Sequence, residues 1–129
     1  MILDTSTVVS ILFKEDDALA HARVIADAEG VRISAATLVE LTMVAEGRAG
    51  PQAGLELEAF LRRVEARVWP VTAHHAGIER DAWQRFGKGR HRAALDLGDC
   101  FSHALATTMD VPLLDNGEDF ARTDMKAAF

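Results

Sequence analysis

Several features that mark particular protein classes are scarce or missing in this chain of 129 residues. Cys100 is the only cysteine, so an internal disulfide is impossible and a reducing compartment is expected. No apolar run approaches the roughly 18 residues that a membrane-spanning helix needs. The residues around Met1 lack the positively charged stretch of a secretion signal. We therefore expect a cytoplasmic, soluble protein.

Positive charge is also in deficit. The chain carries 14 Lys and Arg residues against 20 Asp and Glu residues, a formal net charge of −6. This balance argues against a protein that holds nucleic acid on a broad positive surface. It does not exclude a metal-dependent nuclease, because such an enzyme gathers carboxylates at its centre and divalent ions invert the local charge. The basic residues of such an enzyme are expected in one place near that centre.

Short apolar segments alternate with longer amphipathic ones along the chain. Strands are predicted at 1–3, 31–34, 68–71 and 111–114, and helices at 8–13, 18–29, 36–48, 55–67, 72–86 and 97–109. This alternation indicates an α/β protein with a short parallel sheet covered on both faces, a three-layer α/β/α sandwich. The length fits a single domain over 1–129.

Glycine and proline predict the breaks between these elements. Gly30 is expected to end the second helix, and the segment 47–54, which contains Pro51, to form a turn. Pro70 lacks a donor, so the third strand should be short or lie near an edge. Trp69 and Trp83 are expected to fill the core or an interface.

Acidic residues follow the predicted strands at several places. Asp4 directly follows the first strand, where Thr5 or Ser6 would cap the next helix. The other acids of this kind are Glu40, Asp99, Asp115, Glu118 and Asp119. Because ligands of open α/β sheets collect at the carboxyl ends of the strands, these positions are site candidates.

Each acid also has a purely structural interpretation. Asp4 fits a helix cap, and Glu40 fits the third helical position of a capping box that starts at Thr37. Asp96 and Asp99 are spaced as cap and third position of another helix, where acids complement the helix dipole. The acids of the last cluster fit a solvated turn around Asn116-Gly117.

Taken together, the acids favour a metal site, because the predicted fold brings distant strand ends to one edge. Clustered carboxylates repel one another unless cations lie between them. Oxygen ligands with few histidines suit Mg²⁺ or Mn²⁺. Such a site is typical of phosphodiester hydrolysis, in which the metal activates a water and stabilises negative charge.

A basic segment precedes Asp99. Its charged residues are Arg85, Lys88, Arg90 and Arg92. The alternative is a solvated surface loop, but in a nuclease these residues would position RNA phosphates with little sequence preference.

Four motifs, in order over nearly the whole chain, carry a resemblance to a known family. They are Met1-Ile2-Leu3-Asp4-Thr5-Ser6, Ser34-Ala35-Ala36-Thr37-Leu38-Val39-Glu40-Leu41, Leu97-Gly98-Asp99-Cys100 with Ala104-Leu105-Ala106, and Pro112-Leu113-Leu114 followed by Glu118-Asp119-Phe120 and Thr123-Asp124. With these motifs the chain resembles the PIN-domain ribonucleases, and in particular the VapC-type toxins of bacterial toxin–antitoxin pairs.

The resemblance implies a PIN-like fold and a Mg²⁺- or Mn²⁺-dependent endoribonuclease. A small cognate VapB-like antitoxin would hold its activity in check by inserting a peptide into the acidic groove. The acids that match the family's catalytic, metal-binding positions are Asp4, Glu40, Asp99 and Asp119, with Asp115 and Glu118 as alternatives to the last. Family members are commonly homodimers, and several cut tRNA or ribosomal RNA, so a homodimer and an RNA substrate are expected.

The chain departs from the family pattern at two positions. Asp96 stands where the family often has Asn, and His103 where it often has Tyr; the chain has no tyrosine at all. His103 lies four residues after Asp99, on the same helical face, where it would contact a phosphate or pack in the core or a dimer interface. Cys100 is expected to be a small buried residue.

Two other functions remain open from the sequence. A PIN-like domain without activity would serve as a binding or assembly module, although it would have no need for all four acids. A receiver-type phosphoacceptor domain also clusters acids at strand ends. It would need an Asp after a central strand and a late Lys, whereas the third strand ends in Val71-Thr72 and Lys126 is too near the C-terminus.

Overall fold

The computed structural model describes residues 1–86 and 97–114. A parallel sheet of four strands forms its centre, in the order β3-β2-β1-β4. The strands are β1 (Ile2–Leu3), β2 (Arg32–Ser34), β3 (Arg67–Trp69) and β4 (Leu113–Leu114). The helices are α1 (Thr5–Leu12), α2 (Ala18–Asp27), α3 (Ala35–Ala49), α4 (Pro51–Arg63), α5 (Ala73–Phe86) and α6 (Leu97–Met109). The predicted α/β class and the parallel sheet are confirmed.

The neighbouring strands β1 and β4 pack opposite faces of the sheet into two separate apolar clusters. Leu3 and Leu114 are paired neighbours in β1 and β4, and both pack with side chains of α1, α3 and α4. Ile2 and Leu113 are also paired, and pack with Leu105 of α6 on the other face. Because successive residues of a strand point to opposite faces, helices cover both sides, as a three-layer sandwich requires.

The edge strand β3 differs in exposure from β1 and β4. All the residues of β3 are exposed, whereas β1 and β4 are buried. Pro70 lies directly after the strand, in agreement with the predicted short edge strand. Trp69 and Trp83 are 36% and 44% exposed, so neither lies in the core, and the alternative position in an interface stays a prediction. The Arg32 guanidinium lies over the Trp69 ring, 6.0 Å from its centroid.

The predicted turn over 47–54 is wrong. The α3 helix continues to Ala49, and only Gly50 separates it from α4, which begins at Pro51. Gly50 has φ +80° and ψ −176°, a backbone conformation reserved for glycine, and its N–H still bonds to the Glu46 carbonyl at 2.8 Å. Proline is favoured at the first helical position because its φ is already helical and its missing N–H is not needed there. One glycine therefore makes the whole corner.

Gly30 also has a different role from the expected helix stop. The α2 helix ends at Asp27 with Ala28 as its C-cap. The Gly30 carbonyl instead accepts a hydrogen bond from the Met1 amino group at 2.9 Å. Burial and the nearby Arg32 charge, in that order, lower the pKa of this amine.

No helix in the described part of the chain is long and apolar enough to cross a membrane.

Candidate active site

Asp4 lies at the carboxyl end of β1 and is only 3% exposed. Its N–H donates to the Leu114 carbonyl at 3.1 Å, which holds the residue against β4. Asp4 is also the N-cap of α1, since its Oδ2 accepts hydrogen bonds from the Ser6 N–H at 3.4 Å and the Ser6 hydroxyl at 3.1 Å. The cap is therefore Asp4 and not Thr5 or Ser6. Asp4 therefore directly follows β1, and its carboxylate caps the N-terminus of α1.

The other oxygen of Asp4 contacts α6. The Ser102 hydroxyl donates to Asp4 Oδ1 at 2.7 Å, and the Thr37 hydroxyl lies 3.2 Å from the Ser102 hydroxyl. Both hydroxyl-bearing residues are fully buried. Side chains from α3, α6 and the end of β1 thus form one buried chain of hydrogen bonds.

Glu40 is held from two sides near the same sheet edge. The Thr5 hydroxyl donates a hydrogen bond to Glu40 Oε1. On the other side the carboxylate lies so close to Gly98 that a Cβ there would overlap it. The capping-box interpretation of Glu40 is wrong, because Ser34 caps α3 by accepting from the Ala36 N–H at 3.3 Å. Glu40 lies beyond the first turn, and its carboxylate points across to α1 and α6.

Asp99 lies in the first turn of α6, directly after Gly98. It is half-buried, and an acid at this helical position is favoured by the helix dipole. Gly98 contacts Glu40, and Ser102, one turn further along α6, contacts Asp4. The start of α6 therefore brings Asp99 to the edge of the sheet where Asp4 and Glu40 lie.

The remaining predicted site residues are only partly described. Arg85 lies in the last turn of α5 and pairs with Asp81 at 3.6 Å. The others lie outside the described residues: Lys88, Arg90, Arg92, Asp96, Asp115, Glu118 and Asp119. Within residues 1–86 and 97–114, no three His, Cys, Asp or Glu side chains are grouped as a metal site. Among the described residues, the possible metal ligands at this edge are carboxylate oxygens, which suit Mg²⁺ and Mn²⁺.

The other polar candidates differ in how deeply they are buried. His103 is 3% exposed, so the packed position expected for it is confirmed, and Cys100 is buried as expected. His75 is buried and His74 exposed, with their ring centroids 6.4 Å apart. Burial raises the pKa of Glu79, on α5.

A large cavity lies at the other end of the sheet, next to the amino ends of the strands. Its volume is about 710 Å³, and it is bounded by the ends of α2 and α4 and the starts of β2 and β3. Arg32, Arg63 and Arg67 line it, and none of the acids discussed above does. It is therefore separate from the candidate active site.

Sequence patterns did not reveal the hydrogen bonds of Thr37 and Ser102 or the contact between Thr5 and Glu40. The signal that was available is the spacing of Ser102, one turn after Asp99 in a mostly apolar stretch of α6. A serine on the buried face of a helix needs a partner, because a buried hydroxyl without one is costly. That requirement points to a partner but does not identify it.

Comparisons with known proteins agree with this geometry. A model of the PIN domain family matches residues 1–126. A curated relative, a ribonuclease VapC of Mycolicibacterium smegmatis, is 43% identical over 127 residues, covering 98% of each chain. The chain therefore belongs to the PIN-domain family, among the VapC ribonucleases.

Solved structures share the fold. The VapC20 toxin of Mycobacterium tuberculosis, described as cleaving the sarcin–ricin loop, superposes with a TM-score of 0.75 at 21% identity, covering 96% of this chain and 95% of that one. A chain of a toxin–antitoxin complex from Klebsiella pneumoniae gives a TM-score of 0.73 at 17% identity, covering 95% of this chain and 92% of that one. At these identities the likeness concerns the fold.

Proposed function

We propose that this protein is a Mg²⁺- or Mn²⁺-dependent endoribonuclease, the toxin of a type II toxin–antitoxin module. Its membership of the VapC ribonucleases supports the ribonuclease activity. The observation that carries the metal dependence is the convergence of Asp4, Glu40 and the start of α6 at one sheet edge. Carboxylates so placed at the carboxyl ends of parallel strands favour a divalent cation.

The residues proposed to hold the cation are Asp4, Asp99, Glu40 and Asp119. Asp4 and Asp99 would bind it most directly, because β1 and the start of α6 fix their positions. Asp119 is the least supported of the four, and Asp115 and Glu118 are its alternatives. When bound, the cation would lower the pKa of water and stabilise negative charge on the phosphate.

The protein's own groups have distinct roles in this proposal. Glu40, held by Thr5 and Gly98, would orient the attacking water toward the phosphodiester. Arg85, with Lys88, Arg90 and Arg92 beyond it, would hold the phosphates on either side of the cleaved bond. Such contacts position RNA without reading its sequence. A basic segment that precedes Asp99 in the sequence would also account for RNA binding by a chain of net charge −6.

A cognate VapB-like antitoxin is the proposed partner. The similar structure from Klebsiella pneumoniae is a toxin–antitoxin complex, and the protein's membership of the VapC ribonucleases favours the same arrangement. The antitoxin would inhibit by inserting a peptide into the acidic groove. Inhibition of RNA cleavage by the product of the adjacent reading frame would support this partner, and unchanged cleavage would argue against it.

Two further properties are proposed on the family pattern. The protein would act in the cytoplasm, where RNA is available, and would form a homodimer. Light scattering after size-exclusion chromatography should give twice the chain mass of 14.0 kDa. A mass equal to one chain over the concentrations at which RNA is cut would contradict the dimer.

The substrate is proposed to be a structured cellular RNA such as tRNA or ribosomal RNA. The similar toxin that cleaves the sarcin–ricin loop is only 21% identical to this chain. Its substrate therefore does not decide between tRNA and ribosomal RNA, and both need to be tested. Antitoxin-free protein should be incubated with total RNA in Mg²⁺, in Mn²⁺ and in EDTA. Discrete metal-dependent fragments are expected, and sequencing their ends would identify the substrate. Fragments that persist in EDTA would contradict the metal-dependent mechanism.

The remaining candidate is a PIN-like binding module without activity. The hydrogen bonds that hold Asp4 and Glu40 argue against it, because a binding module gains nothing from orienting these carboxylates. Titration with Mn²⁺ separates the two functions, since a site that has lost its function should not bind the ion.

A further inference from the structure

We propose that Ser102 is a positioning residue for Asp4, and that Thr37 acts on Asp4 through Ser102. The inference rests on the proposed metal site at Asp4. It concerns two hydroxyl groups that touch neither substrate nor cation and set the orientation of a carboxylate that does.

The donors and acceptors of these hydrogen bonds can be assigned by counting protons. An ionised carboxylate only accepts, so the short contact of 2.7 Å must use the single Ser102 hydroxyl proton. Ser102 then has no proton to give to Thr37, and at 3.2 Å the Thr37 hydroxyl must be the donor. The direction of the chain is thus Thr37 to Ser102 to Asp4.

The burial of these groups makes the arrangement rigid. Thr37 and Ser102 are 0% exposed and Asp4 is 3% exposed, so water does not compete for these hydrogen bonds. The Ser6 N–H and hydroxyl fix Asp4 Oδ2, while Ser102 fixes Oδ1 from the opposite helix. With both oxygens held, rotation of the carboxylate about its last bond is prevented. Hydrogen-bond partners of metal ligands commonly tune affinity in this way.

The experiment measures Mn²⁺ affinity of the purified full chain by calorimetry, without RNA. Ser102→Ala removes the donor, and we expect its Mn²⁺ dissociation constant to rise about tenfold. Thr37→Val removes a hydroxyl but keeps the side-chain shape, and its dissociation constant should rise by less. Thr37→Ser keeps the hydroxyl and should bind Mn²⁺ like the unaltered protein.

A double variant tests whether Thr37 acts through Ser102. Combining Ser102→Ala with Thr37→Val should weaken Mn²⁺ binding no further than Ser102→Ala alone, because the Thr37 hydroxyl has then lost its acceptor. Additive effects would overturn the relay from Thr37.

The matched control is Ser10→Ala. Ser10 is also fully buried and hydrogen-bonded, to His21 Nδ1 at 2.9 Å and to the Thr7 carbonyl at 3.1 Å, but it does not contact Asp4. It should lose thermal stability with little change in Mn²⁺ affinity. Equal Mn²⁺ affinity in Ser102→Ala and the unaltered protein would overturn the positioning role while leaving the metal site intact. Failure of the unaltered protein to bind Mn²⁺ would instead overturn the metal site and the proposal that rests on it.

Discussion

Thr5 and Glu40 are 35 positions apart in the chain, and the hydroxyl of the first donates a hydrogen bond to the carboxylate of the second. Thr5 is the first residue of α1, and Glu40 lies in the middle of α3. The bond therefore joins two helices at the sheet edge, next to Asp4. It gives Glu40 a fixed orientation that helix capping does not explain.

Removing the Thr5 hydroxyl should impair catalysis more than folding. Thr5→Val keeps the side-chain shape but leaves Glu40 without this donor, so we expect kcat/KM for RNA cleavage to fall about tenfold. Thr5→Ser keeps the hydroxyl and should retain most of the activity. Full activity in Thr5→Val together with a loss in Thr5→Ser would show that the methyl group matters and the hydrogen bond does not.

Gly98 is predicted to tolerate no side chain. A Cβ at this position would overlap the Glu40 carboxylate, so Gly98→Ala should displace Glu40 and reduce RNA cleavage by at least about tenfold. The matched control is Gly47→Ala, also in a helix, where a Cβ meets nothing within 4 Å. That control should keep full activity and gain up to about 1 kcal/mol in free energy of unfolding. Full activity in Gly98→Ala would mean that the position of Glu40 is unimportant.

Gly50 should matter for stability alone. Its φ of +80° with ψ near 180° is unfavourable for any residue with a side chain, so Gly50→Ala should lower the free energy of unfolding by about 1 to 3 kcal/mol. Urea denaturation is the measurement. Since the corner between α3 and α4 lies away from Asp4, the surviving folded fraction should cut RNA at the normal rate. An unchanged midpoint would contradict the strained corner.

The raised pKa of Glu79 leads us to expect that the stability of the protein depends on pH. Burial raises the pKa of this carboxyl group in the folded state above its usual value of 4.5. The folded protein therefore binds this proton more tightly than the unfolded chain, and the stabilisation is complete below pH 4.5 and is lost as the pH rises through the folded pKa. Glu79→Gln should thus be more stable than the unaltered protein at pH 7, with a smaller advantage at pH 4. Urea midpoints at both pH values test this.

The control for Glu79 is Glu56→Gln, at an exposed position of α4. It should change stability little at either pH, because exposed substitutions usually have small effects. A gain at pH 7 as large as that of Glu79→Gln would attribute the effect to net charge and not to burial.

The sequence predicted the elements well where hydrophobic patterning decides them. Two apolar residues before Asp4 specify a buried strand, and the acid marks its carboxyl end, as the structure confirms. Patterning failed at 47–54, where glycine and proline indicated a turn of several residues. In the structure Gly50 alone changes the chain direction, and Pro51 starts the next helix.

The acids of the candidate site could be predicted from the sequence, but the residues that hydrogen-bond to them could not. Parallel strands bring Asp4 and its neighbours to one edge by topology, which local sequence patterns reveal. The contacts of Ser102 and Thr5 depend on how helices α1, α3 and α6 are rotated against one another. That rotation is set by packing over the whole core, so no local pattern encodes it. Asp119 and the basic segment from Lys88 to Arg92 lie outside the described residues, and their roles stay predictions.

The central claim is that the carboxylates at this sheet edge carry out metal-dependent RNA cleavage. It is tested most directly by the RNA cleavage rate of Asp99→Asn, beside Asp4→Asn and the unaltered protein, in saturating Mn²⁺. We expect both variants to remain folded by circular dichroism and to lose cleavage by at least about a thousandfold, because losing a metal-bound carboxylate removes several kcal/mol of transition-state stabilisation. Cleavage by folded Asp99→Asn at the rate of the unaltered protein would contradict the claim.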